Sequence, residues 1–142
     1  KTENGDNYFW SSMDNSTLHN SWAGLAFERV CLQHLEQIKK GLGFGAVIST
    51  AHSWRCTDAQ IDLLIDRNDD IINICEMKYS KSKYALDADE IERMQHRVDA
   101  FQKTTKTNKS INLTLITSNG VTEGSNTNSI HSMITMEQLF LP

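Results

Sequence analysis

The chain has no run of eighteen apolar residues, so it holds no segment of the length a membrane-spanning helix requires. No basic stretch followed by an apolar one stands near its start, so no secretory leader is legible. Cysteine is scarce. Cys31, Cys56 and Cys75 are odd in number, widely spaced and without a CxxC pair, which argues against a disulfide framework or a cysteine-built zinc site. Cys31 and Cys75 fall inside apolar runs and read as small core residues. A reducing cytoplasm is the expected compartment. An excess of positive charge is also missing: the net charge is −4, not the mark of a general nucleic-acid binder. There is no internal repeat, and no low-complexity linker after residue 21.

What is present suits a globular domain. The 142 residues are 39% hydrophobic and 23% charged, enough apolar surface to offset the entropy of ordering. Charge is unevenly spread. Residues 78–109 hold eight basic side chains (Lys78, Lys81, Lys83, Arg93, Arg97, Lys103, Lys106, Lys109) and five acidic ones, a local +3 against −7 elsewhere. Such a stretch beside acidic strands suits phosphate held near bound cations; a solvated helix and its loops would look the same on charge alone.

Residues 1–21 are polar, interrupted by Tyr8, Phe9 and Trp10, and read as a lead-in to a domain over 22–142. A start at Lys1 in place of methionine points to a piece of a longer protein. Residues 22–42 have helical periodicity, with Leu25, Cys31, Leu32, Leu35, Ile38 and Leu42 on one face and Gly41 and Gly43 as the stop. Strands are expected at 44–50, 60–66 and 71–79, with a polar turn at Arg67–Asp70. A second helix spans 87–106, where Asp87 and Glu90 have capping-box spacing. Strands at 111–117 and near 130–134 follow, then a last turn capped by Thr135 and Gln138. Three consecutive strands suggest an antiparallel meander, and the strand–helix–strand unit adds a parallel pairing. The predicted fold is therefore α/β, a mixed central sheet flanked by helices.

The third strand carries Glu76 and Lys78 two residues apart, hence on one face, behind Ile72 and Ile74. A carboxylate and an ammonium at the end of an apolar strand resist burial unless paired or metal-bound. Asp62, on the preceding strand, comes beside Glu76 if the two strands are neighbours. Two close carboxylates repel, and a hard divalent cation relieves that. Its waters supply a nucleophile, while a nearby lysine orients one or stabilises phosphate charge. Glu28, among the apolar positions of the first helix, is the fourth candidate. Singly, each has a plainer reading: a surface Glu76–Lys78 pair, an edge-strand Asp62, a Glu28 bonded to Arg29 or a loop. The order of all four is the signal. Asp66, on Asp62's expected face, is a substitute ligand. Gln60 and Gln95 are possible polar neighbours. Arg93 and Arg97, one helical turn apart, fit phosphate contact or a solvated face. His34, His52 and His96 lack partners at ligand spacing and read as structural or solvated.

At these residues the chain resembles the PD-(D/E)XK nuclease superfamily. Glu28 in the first helix, Asp62 in QIDLLID and Glu76-Met77-Lys78 in INICEMKYS carry the resemblance, over roughly residues 22–118. No proline precedes Asp62. The resemblance implies a restriction-endonuclease-like αβββαβ core and phosphodiester hydrolysis with Mg²⁺ or Mn²⁺. Asp62 and Glu76 would be metal ligands, Lys78 would position or activate the attacking water, and Glu28 would assist the metal or its water. WAGLAFERVCLQHLEQIK, AQIDLLIDR, INICEMKYS and ITMEQLF are similar to the C-terminal nuclease-like domain of a group of prokaryotic AAA-type ATPases. DNA and an N-terminal ATPase domain of the same protein are the partners this implies. No GxxxxGK[ST] loop occurs, so ATP binding is not expected of this stretch. The competing classes are a non-catalytic module that binds DNA or regulates an attached ATPase, and a hydrolase of a small phosphorylated molecule.

Overall fold

A computed structural model describes the backbone of residues 15–139, with side chains over 22–137. The element order is α1 (Asn15–Gln33), α2 (Leu35–Gly41), β1 (Ser49–Arg55), β2 (Gln60–Arg67), β3 (Ile71–Lys78), α3 (Ala88–Thr105), β4 (Ser110–Thr117), β5 (Ser132–Thr135) and α4 (Met136–Leu139). The strands form one mixed sheet in the order β1-β2-β3-β4-β5. β1, β2 and β3 pair antiparallel, and β3–β4 and β4–β5 pair parallel. The meander and the later parallel pairing are thus as the periodicity predicts.

Burial explains the sequence of β3. Asn73 to Glu76 are all buried, because helices cover both faces of this central strand. On one face Phe27 and Cys31 of α1 and Ile38 of α2 pack with Leu63, Ile65, Cys75, Ile116 and Ile134. On the other, Met94, Val98 and Phe101 of α3 pack with Ile72, Ile74, Leu113 and Leu115. The buried amide of Asn73 is not left unpaired: its Nδ2 donates to Thr114 Oγ1 at 3.0 Å and its Oδ1 accepts from Arg67 Nη1 at 3.2 Å. Cys31 and Cys75 are free and buried, in the core as expected.

Four expectations need correction. The first helix begins at Asn15, inside the expected lead-in, and breaks at His34, whose Nδ1 bonds Val30 O at 2.7 Å. The core face is Phe27 and Cys31 of α1 and Ile38 of α2, while Leu25 is 67% and Leu32 44% exposed. At 100° per residue Leu25 lies about 160° from Phe27, so the expected stripe was too wide. β1 runs from Ser49 to Arg55, not over 44–50. Phe44 is buried from the turn after α2, and Arg67 stacks 4.0 Å over its ring. Edge strand β1 is half-exposed and polar, so the apolar run before it imitates a strand better than it does. The last strand lies at Ser132–Thr135, two residues beyond the expected start. Finally, Asp87 does cap α3, its side chain accepting from Glu90 N–H at 2.8 Å, but the Glu90 side chain turns elsewhere. Tyr8, Phe9, Trp10 and the side chain of Gln138 lie outside the described residues.

Candidate active site

Glu76 and Lys78 end β3 on the face that α3 covers, in line with Ile72 and Ile74. Across the antiparallel pair, Leu63 faces Cys75, and one further step of that register brings Asp62 toward Glu76. The alternation of β2 breaks here. Ile61 joins Leu64 in the α3-side core, whereas Leu63 and Ile65 belong to the α1-side core. The neighbouring β1 shows a register shift between His52 and Trp54 at the same level. Asp62 sits at this irregularity, exposed, where a regular strand would have kept it in step with Asp66.

The result is a cleft of about 240 Å³ lined by Glu28, Gln60, Asp62, Cys75, Glu76, Met77, Lys78 and Arg97. All four sequence-predicted residues reach it. Gln60 Nε2 donates to Asp62 Oδ1 at 2.8 Å and fixes that carboxylate. Gln60 is therefore a polar neighbour of the site, and Gln95 is not among the residues lining it. Asp66 is at the other end of β2, bound to Lys109 Nζ at 2.6 Å, so it cannot replace Asp62.

Charge pairing departs from the simplest reading. Glu76 and Lys78 do not pair with each other; each turns to α3. Arg97 Nη1 donates to Glu76 Oε1 at 3.1 Å. Lys78 Nζ stands 3.7 Å from Glu90 Oε2, and the Tyr84 hydroxyl donates a short hydrogen bond to the same Glu90 oxygen. The loop carrying Tyr84 is tied to the end of β4: Tyr84 N–H donates to Gly120 O, and Ser80 N–H to Ser118 Oγ. Arg97 is thus paired with Glu76 inside the cleft, with its side chain 28% exposed. Neither Glu90 nor Tyr84 is expected at the site from the sequence. Glu90 stands at a capping position, which hides its second use; its buried place on the stripe with Met94 was the available signal.

Burial pushes the Glu76 carboxyl above its ordinary value; Arg97 and Lys78 oppose this, and Asp62 adds to it. Glu28 is likewise raised, first by burial and then by the charge of Asp62, against the pull of Lys78. Burial is thus the first cause in both carboxyls, and the cleft's own cations offset it only in part. Among the described residues no three His, Cys, Asp or Glu side chains close around one point. A hard cation that keeps several waters needs only one or two carboxylates, however, and the oxygens of Asp62 and Glu76 are donors of that kind.

A mixed α/β domain with an acidic, lysine-bearing cleft at the end of its central strand is the class that fold and site define. Within it, the chain belongs to the DUF234 family, archaeal and bacterial proteins of unknown function, whose profile matches residues 2–94. The match contains Glu28, Asp62, Glu76, Lys78 and Glu90, and stops short of Arg97. No curated protein and no solved structure matches the chain. Among the described residues no helix is long and apolar enough to cross a membrane.

Proposed function

We propose that this is a nuclease domain of the restriction-endonuclease-like fold that hydrolyses DNA phosphodiesters with Mg²⁺ or Mn²⁺, attached to an ATPase. The observation that carries the reading is the meeting of Glu28, Asp62, Glu76 and Lys78, from three separate elements, in one cleft. The antiparallel β1-β2-β3 unit, the covering helix α3 and the parallel strand β4 fit the αβββαβ core. The ATPase partner rests on the sequence resemblance.

In this reading Asp62 and Glu76 would hold the divalent ion, which would supply Lewis acidity and a more acidic water. Gln60 keeps Asp62 in its rotamer. Lys78 presents an ammonium to the attacking water or to a non-bridging phosphate oxygen, where developing negative charge gains most from a fixed cation. Glu90, braced by Tyr84, holds that ammonium in place. Glu28, which lines the same cleft, would assist the ion or its water as a hydrogen-bond acceptor. The test is cleavage of plasmid and branched DNA with Mg²⁺ or Mn²⁺. Glu76→Ala and Lys78→Ala should each lower the rate on the order of 10²-fold or more. Activity that survives both substitutions rejects the assignment.

A second reading, a non-catalytic module that binds DNA or regulates the ATPase, is favoured by one observation: both Glu76 and Lys78 are already engaged by α3. Calorimetry showing a folded protein that takes up no divalent ion would select it.

A further inference from the structure

Arg97 stands between two spaces. Inside the cleft it holds Glu76. It also lines an adjoining open groove of about 570 Å³, together with Asp58, Glu92, Arg93 and His96. The pair is lopsided: the Glu76 side chain is 10% exposed and that of Arg97 28%. The carboxylate is fixed by its strand, while the guanidinium has solvent to move into on a long side chain. As paired, Arg97 holds Oε1 of the carboxylate that the proposed metal would share. A guanidinium and a divalent cation drawn to one carboxylate repel each other at close range.

Resting on the nuclease reading, we propose that Arg97 is the counter-ion of the metal-free cleft and the phosphate ligand of the loaded one. Released from Glu76, it joins Arg93 one helical turn away on the groove side of α3, with His96 beside them. Two forked guanidiniums along a groove suit successive phosphates of a nucleic-acid strand, and their planar geometry favours bidentate contact. Asp58 and Glu92 on the same walls keep the groove from holding anions strongly until Arg97 arrives. Cation uptake and phosphate binding then assist each other, and by linkage the assistance is equal in both directions.

The experiment compares the full chain with Arg97→Met and Arg97→Lys at pH 8, after circular dichroism has established folding. Calorimetric titration with MnCl₂ should give about tenfold tighter binding for Arg97→Met, because the competitor is gone; a tenfold change equals about 1.4 kcal/mol. Binding of an uncleavable phosphorothioate duplex should tighten several-fold with Mn²⁺ in the natural chain, and the gain should vanish in Arg97→Met. Arg97→Lys, which keeps charge but not the fork, should bind Mn²⁺ like the natural chain and lose most of the gain. In ¹⁵N spectra the Arg97 Nε–Hε signal should shift and lose exchange protection as Mg²⁺ saturates. Equal or weaker Mn²⁺ binding by Arg97→Met, or an Arg97 signal unmoved at saturating Mg²⁺, overturns the proposal while leaving the nuclease reading in place. Absence of Mn²⁺ binding in all three chains removes both.

Discussion

Glu76→Gln should stabilise the metal-free protein at neutral pH, although it deletes an ion pair. Glu76 is 8% exposed, and removing an ionised carboxylate from water costs several kcal/mol. Arg97 at 3.1 Å and Lys78 return part of this. Burial still outweighs them, because the carboxyl is held above its ordinary value of 4.5. A neutral amide of the same shape escapes the cost and keeps an oxygen for Arg97 Nη1. The net gain is about 1 kcal/mol, a shift in Tm of roughly 3 °C for a domain of this size. The pH dependence follows from linkage. A group whose pKa is raised by folding contributes fully below its unfolded value, near 4.5, and that contribution is lost as pH rises through the folded value. The advantage of Glu76→Gln should therefore be small near pH 4.5, grow above it, and level off once Glu76 is ionised. Urea denaturation in EDTA at pH 4.5, 6 and 7.5, with unchanged m, measures the gap. A gap that stays constant over this range, or a glutamine variant less stable than the natural chain at pH 7.5, refutes the reasoning.

Other consequences can be tested directly. Glu90→Gln should cut Mn²⁺-dependent cleavage about tenfold while Mn²⁺ affinity stays within twofold, because it loosens Lys78 and leaves Asp62 and Glu76 in place; equal activity would show that Lys78 needs no brace. Burial, with the charge of Glu28 next, pushes the Cys31 thiol up to about 12, and burial pushes that of Cys75 higher still, so at pH 8 only Cys56 should react quickly with a disulfide reagent, all three reacting in denaturant. A methyl group added at Gly41 would lie 2.3 Å from Cδ1 of Ile134, a core side chain 1% exposed that must shift to admit it. Gly41→Ala should therefore cost about 1–2 kcal/mol in urea denaturation, despite alanine's better helix propensity.

The interior of the sheet is written plainly in the sequence. Gln60–Arg67, Ile71–Lys78, Ala88–Thr105 and Ser110–Thr117 fall within about a residue of their predicted limits, because covered strands and a capped amphipathic helix leave strong periodic signals. The margins are less legible. Around Phe44 the apolar residues serve a buried turn, and the true edge strand is polar. Leu25 and Leu32 look like core residues and are exposed, since a break at His34 and the turn of α1 select Phe27 in their place. At the site, Glu28, Asp62, Glu76 and Lys78 could be chosen from strand spacing and chain order. Their partners could not. Whether Arg97 meets Glu76, or Glu90 meets Lys78, depends on how α3 is rotated and slid over β3, which no local pattern encodes.

That placement has a consequence for how the chain tolerates change. Glu90 and Arg97 are seven residues, or about 10 Å of helix, apart, and they face two strand positions about 7 Å apart in the opposite order. Long side chains make up the difference. Inserting or deleting one residue between 90 and 97 would rotate one of the pair by about 100° and strand its strand partner. The stretch from Glu90 to Arg97 therefore behaves as a ruler of fixed length: drift is admissible in its outward letters, and a change of count is not.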